Sequence, residues 1–152
     1  MNARNTIPGL AKLLELPTGM SAKRKLPTWA SNPFQNDEFG ENENLSAVIF
    51  ADCFNRYFEP ENLRAAANVL SAAHHQIDVA KPIDGKKPLC CGRTFLASGL
   101  VEEAKFEAQR MIDSLLPYIE KDIPIIGLEP SCLLTLRDEI LGLLPGLSLI
   151  HI

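Results

Sequence analysis

Three short apolar runs, each followed by an amphipathic helical pattern, constrain this chain more than any other feature. Ala47-Val48-Ile49-Phe50-Ala51 is wholly apolar, as a strand covered on both faces must be. Gln76-Ile77-Asp78-Val79-Ala80 alternates and predicts a second strand. Ile123-Pro124-Ile125-Ile126-Gly127-Leu128 predicts a third, with Pro124 at its start, where no ladder donor is needed. After the first run, Leu63, Ala66, Ala67 and Leu70 form one helical stripe that opens at Glu59-Pro60-Glu61 and runs to about His74. Val101, Ala104, Ala108, Met111, Ile112 and Leu115 trace a longer helix that Pro117 and Glu120-Lys121-Asp122 should end. A last helix opens near Pro130, uses Leu133, Leu136, Ile140 and Leu143 or Leu144, and stops at Pro145-Gly146. Strand then helix, three times over, is the rhythm of an α/β fold: a Rossmann-like three-layer domain with a short, mostly parallel sheet.

The residues before the first run read differently. Pro8, Pro17, Pro27 and Pro33 punctuate them, and the polar, acidic stretches Gln35–Glu38 and Glu41–Asn44 close them. One short helix is expected from Pro8 to Leu16, with Leu10, Leu13 and Leu14 on one face and Pro8 in its first turn. Trp29 and Phe34 read as anchors of an extended arm. Residues 1–44 are therefore taken as a Pro-rich N-terminal arm or linker and 45–146 as the α/β domain. Leu147–Ile152, apolar and without the polar fringe of an ordinary terminus, is set apart as a truncation or cloning remnant. At 152 residues the chain has room for one packed core.

Several partners are disfavoured by charge and hydropathy. Fifteen Lys plus Arg stand against nineteen Asp plus Glu, a formal net charge of -4, which leaves no basic excess to neutralise phosphates. Lys23-Arg24-Lys25 is an isolated basic knot in the arm, so nucleic acid is not expected as a partner. No apolar run approaches the ~18 residues of a transmembrane helix, and the N-terminus lacks a signal-peptide pattern. The four cysteines, Cys53, Cys90, Cys91 and Cys132, are accordingly expected as thiols in a reducing compartment, used for packing or for chemistry.

On the α/β scaffold the thiols fall at related places. Cys53 follows the first strand, Cys132 follows the third, and Cys90-Cys91-Gly92 lies in a loop that precedes a helical segment. Parallel strands point one way, so these loops can share the carboxyl edge of the sheet, where such folds bind ligands. Converged thiols have three readings. Structural zinc usually takes chelating CxxC pairs, and adjacent cysteines chelate one small ion poorly. A vicinal pair suits a larger body of several metal atoms, such as an iron–sulfur cluster. Inert core thiols are the ordinary alternative. Gly92 would let backbone approach a cluster closely and take an unusual φ, and amide N–H groups at the following helix start could hydrogen-bond its sulfides and raise its reduction potential.

The strings Phe50-Ala51-Asp52-Cys53-Phe54-Asn55, Pro88-Leu89-Cys90-Cys91-Gly92-Arg93 and Gly127-Leu128-Glu129-Pro130-Ser131-Cys132 resemble those of the cysteine-rich, or CCG, domain. That domain occurs in heterodisulfide reductases, in the iron–sulfur subunit of glycolate oxidase and in FAD-linked D-lactate dehydrogenases, and the FAD-linked branch is the most similar. The resemblance spans about Leu45 to Gly146. It implies that Cys53, Cys90, Cys91 and Cys132 bind a [4Fe–4S]-type cluster, with Gly92 and Arg93 beside it. It also implies an electron-transfer role in an FAD-linked dehydrogenase acting on the CH–OH group of a 2-hydroxy acid of the D-lactate or glycolate type. FAD would sit on a part outside this chain, flavin-containing and ferredoxin-like domains would be partners, and the location would be cytoplasmic, held peripherally at a membrane. The family's final CxxC is incomplete here, because Glu129 stands where its first cysteine would fall. A four-thiolate cluster, one with Glu129 as an oxygen ligand, and zinc therefore stay open.

The chain has no GxGxxG and no Walker A sequence, so it is not expected to oxidise a substrate alone; it looks like the C-terminal piece of a larger polypeptide. The alternative function is a structural zinc or metal-free α/β module that docks subunits. Asp52, Arg56, Arg93 and Glu129 flank the thiols; solvated edge residues are the ordinary reading, and tuning of a cluster the other. His74-His75 is expected to complement a helix dipole.

Overall fold

The computed structural model describes residues 2–39 and 44–145, so Gly146, the tail 147–152 and most of the second acidic stretch lie outside the described residues. Three strands, β1 (Ala47–Phe50), β2 (Ile77–Val79) and β3 (Ile125–Gly127), form one parallel sheet in the order β2-β1-β3. Ile49 pairs with Val79 on one side and with Ile126 on the other. β1 is thus central, and the chain leaves it first toward one edge and then toward the other. In a parallel sheet this reversal opens a crevice at the carboxyl ends of the strands.

The pleat of β1 divides the core in two. Val48 and Phe50 face a cluster with Ala108, Met111, Leu115, Leu136 and Ile140. Ala47, Ile49 and Ala51 face a second cluster with Leu63, Ala67, Ile77 and Val79. The first layer is built by α6 (Val101–Ile119), α7 (Pro130–Arg137) and α8 (Glu139–Leu143), and the second by α4 (Pro60–Ala72). Every residue of β1 is buried because both faces are covered, which is why the run has no polar alternation. Each fully buried Val, Ile or Phe contributes about 1.5–3 kcal/mol. The fold is the expected α/β one, with all three strands parallel.

Details of the helices differ from the sequence expectations. Two helices of five residues, α3 (Cys53–Tyr57) and α5 (Arg93–Ala97), were not predicted, since so short a segment shows no period. α6 runs through Pro117 rather than ending there. Pro117 lies on the exposed side of the last turns, where a carbonyl without its helical donor can be hydrated. The last helical stretch breaks at Asp138 into α7 and α8. α4 stops at Ala72, and His74 takes a left-handed conformation (φ 65°) that turns the chain toward β2. His75 Nδ1 then lies 3.1 Å from Ser46 Oγ, so the histidine pair belongs to a turn.

The arm holds two helices, α1 (Asn2–Thr6) and α2 (Leu10–Thr18), instead of one from Pro8. Gly9, at φ 78°, breaks any helix between them. Arg4 donates to the carbonyls of Met20, Ser21 and Arg24, while Asn5 and Asn2 bond the backbone at Leu26 and Trp29, so the segment folds back on itself. Trp29 stacks at 4.7 Å on Phe58, and Phe34 is 1% exposed within the cluster beside α4. The leucine face expected of the first helix is only partly covered: Leu10 and Leu14 are half-buried, while Leu13 is exposed.

Candidate metal centre

Each cysteine is placed by a separate local device. Asp52 caps α3: its Oδ1 accepts from the Asn55 amide at 2.9 Å and its Oδ2 from Asn55 Nδ2 at 2.7 Å. Cys53 is thereby the first residue of α3, directly beyond β1. Asp52 and Arg56 are not solvated edge residues, being 1% and 3% exposed. The Arg56 guanidinium reaches back to the Phe34 carbonyl and to Asn36 Oδ1, tying α3 to the arm.

The vicinal pair sits where the chain from β2 meets α6. Leu89 is buried in the core, and its carbonyl accepts a 3.7 Å hydrogen bond from the Cys53 thiol. Gly92 follows at φ 79°, and a Cβ there would stand 2.6 Å from the Ala104 carbonyl oxygen. The close approach that demands glycine is therefore to the first turn of α6, a constraint the sequence pattern assigned to a cluster instead. Cys132 enters from the third loop as the third residue of α7, whose cap is Glu129; Glu129 Oε1 accepts from the Ser131 amide at 3.2 Å and from Ser131 Oγ at 2.6 Å.

The four sulfur atoms form a connected series. Cys91 Sγ lies 3.1 Å from Cys132 Sγ, and Cys90 interacts electrostatically with both Cys53 and Cys91. All four are free thiols; Cys91 is buried and the others are half-buried. Hydrogen bonding to Cys90, followed by burial, pushes the Cys53 thiol up, while that to Cys132 does the same for Cys91. Hydrogen bonding to Cys53 and then to Cys91 pulls Cys90 down. The Gly92 and Arg93 amides favour the charged forms of Cys90 and Cys91 respectively. The Arg93 guanidinium itself points to Thr135 Oγ1 at 3.3 Å and Glu139 Oε1 at 3.4 Å.

Lys87, on the loop that leads into the vicinal pair, is a cation that nothing in the sequence pattern marked. Its ammonium pairs with Glu107, a residue 2% exposed on α6. A legible signal existed: Glu107 and Arg110 interrupt an otherwise apolar helical face with charge.

Among the described residues, no group of three or more His, Cys, Asp or Glu side chains is gathered as a single ion requires. Four soft donors on three loops at one sheet edge, with amide donors aimed at two of them, instead fit a body with several metal atoms.

A three-layer α/β fold whose sheet edge gathers four thiols defines a class of cysteine-rich domains. The profile of the cysteine-rich domain family, CCG, matches residues 47–137, and the chain belongs to that family. Among curated proteins it is similar to one subunit of the anaerobic glycerol-3-phosphate dehydrogenase of Escherichia coli strain K12, and to the same subunit from Escherichia coli O157:H7. Each is 23% identical over 149 residues, covering 91% of this chain and 35% of the relative. The chain thus spans about a third of the length of the curated relatives it matches. No solved structure matches the chain significantly. Among the described residues no helix is long and apolar enough to cross a membrane.

Proposed function

We propose that this chain is an electron-transfer domain whose thiolates Cys53, Cys90, Cys91 and Cys132 hold a [4Fe–4S]-type cluster. The observation that carries the reading is the convergence of the four sulfurs from three loops at the carboxyl edge of the sheet. When bound, such a cluster supplies a one-electron carrier whose potential responds to hydrogen bonds on sulfur. The residues of the chain supply the rest. The Gly92 and Arg93 amides stabilise negative charge on Cys90 and Cys91.

Family membership and the similarity to a dehydrogenase subunit support a place within a flavin-linked oxidoreductase acting on CH–OH groups. D-lactate and glycerol 3-phosphate both present a secondary alcohol, so a flavin-bearing partner would remove hydride there and this domain would pass electrons onward. The partners in this reading are flavin-containing and ferredoxin-like domains, with the assembly in the cytoplasm and held peripherally at a membrane.

Anaerobic reconstitution of the full chain with iron and sulfide, followed by metal analysis and an absorption spectrum, tests the reading. A brown protein with near-equal iron and sulfide, bleached by Cys90→Ser or Cys91→Ser, is expected. A colourless protein with stoichiometric zinc, or one that binds no metal, overturns it.

A further inference from the structure

Two sulfur atoms from segments 41 residues apart meet at the sheet edge, Cys91 Sγ standing 3.1 Å from Cys132 Sγ. Both are free thiols; Cys91 is 5% exposed and Cys132 is half-buried. A disulfide bond is about 2.05 Å long, so the pair stands about 1 Å short of bonding distance. Small rotations about the two Cα–Cβ bonds close such a gap without moving backbone.

The fold holds the backbone at both cysteines. Gly92, next to Cys91, rests against the Ala104 carbonyl at the start of α6. Cys132 lies in the first turn of α7, where its amide donates to the Glu129 carbonyl at 3.0 Å. Arg93 joins the two segments: its Nη1 donates to Thr135 Oγ1 at 3.3 Å and pairs with Glu139 Oε1 at 3.4 Å. Cys91 and Cys132 also pack in one apolar cluster with Leu133 and Leu136. The other pairings are less favoured. The Cys53 thiol donates to the Leu89 carbonyl, and a disulfide between adjacent Cys90 and Cys91 would close a strained ring across a planar peptide.

We propose that Cys91 and Cys132 are a redox-active pair that forms a reversible disulfide when the centre holds no metal. The pairing stands on the geometry alone, and its restriction to the metal-free chain rests on the cluster reading above. The oxidant is a low-molecular-weight disulfide such as oxidised glutathione. The half-buried Cys132 sulfur attacks it, a mixed disulfide forms, and the first glutathione leaves with the Cys132 proton. The Cys91 sulfur then attacks the Cys132 sulfur, the mixed disulfide breaks, and the second glutathione leaves with the Cys91 proton. Two protein thiols are oxidised to one disulfide, and one glutathione disulfide is reduced to two thiols. The buried Cys91 acts as the resolving thiol because the oxidant reaches Cys132 first.

The test treats the metal-free full chain with oxidised glutathione, alkylates it, digests it without reduction and maps the linkages by tandem mass spectrometry. Two of the four free thiols should be lost, with Cys91 joined to Cys132 and with Cys53 and Cys90 alkylated. Dithiothreitol should restore all four. Cys90→Ser should keep the linkage, whereas Cys91→Ser and Cys132→Ser should abolish it. Four alkylated thiols overturn the proposal, as do lasting mixed disulfides with glutathione or a linkage of Cys90 to Cys53 or Cys91. A second arm treats the chain reconstituted with iron and sulfide in the same way, after excess reagents are removed. The linkage should then appear only as iron is lost. A chain that keeps its iron and still joins Cys91 to Cys132 overturns the cluster reading at these two cysteines and leaves the pairing standing. A chain that takes up no iron overturns the cluster reading alone, because the first map is made without iron.

Discussion

Gly92 and the first turn of α6 meet so closely that a Cβ on the glycine would lie 2.6 Å from the Ala104 carbonyl oxygen. The contact sets the vicinal cysteines against the longest helix of the fold, and the left-handed φ of 79° at Gly92 turns the chain into α5. Two penalties coincide at this position. A side chain in left-handed backbone costs roughly 1–2 kcal/mol, and overpacking against fixed backbone costs about 1–3 kcal/mol. Gly92→Ala should therefore lower stability in urea by about 2–5 kcal/mol. An unchanged urea midpoint would show that α6 moves away at no cost.

Asp52 caps α3 from a buried position and satisfies both the amide and the side chain of Asn55. Asp52→Ala loses a cap worth about 1 kcal/mol and leaves a buried donor unpaired at about 1–3 kcal/mol. Asp52→Asn retains a capping oxygen and should be milder. Equal urea midpoints for Asp52→Ala and the wild type would contradict the assignment.

The arm enters the core through Phe34, which is 1% exposed and packs with Ile49, Leu63 and Val79. Phe34→Ala should cost about 3–5 kcal/mol. A chain begun at residue 45 should lose at least as much, because Arg56 also loses its acceptors at Phe34 and Asn36. A truncated chain as stable as the full one would make residues before 45 a dispensable linker. Comparative denaturation by circular dichroism decides between them.

The Asp84–Arg110 pair predicts a limb of the acid transition. Hydrogen bonds from Arg110 hold the Asp84 carboxyl below its usual range, so the folded state binds its proton less readily than the unfolded chain does. The stability it contributes is present above the unfolded value of about 3.9 and is lost as pH falls through the lower folded value. The wild type should thus exceed Asp84→Asn in stability at neutral pH, and the gap should close below about pH 4. Urea titrations of both proteins across that range measure it. A gap that is constant with pH would mean the carboxylate's charge is immaterial.

Glu107 shows why part of the site escaped the sequence pattern. On α6 the apolar residues Ala104, Ala108, Met111 and Leu115 repeat along the helix, so the pattern alone located its buried face. Glu107 and Arg110 share that face, and a helical period can only register them as interruptions. Their partners, Asp84 and Lys87, come from a loop without any period. The same limit explains α3 and α5, whose starts depend on one cap and one left-handed glycine rather than on repetition. Asp52 and Arg56 looked like rim charges because burial of a single residue leaves no trace in its neighbours.

Repetition along the chain was enough to place three strands of a mostly parallel sheet, the long helices between them, and Cys53 and Cys132 just past strand ends. Strand direction made those positions neighbours before any coordinate was known, since parallel strands all deliver their carboxyl ends to one edge. Only the tertiary structure decided that β1 is central, that Phe34 completes the core, and that Lys87 pairs with the buried Glu107. These outcomes depend on pairings between distant segments, each settled by which polar groups could find partners once water was excluded.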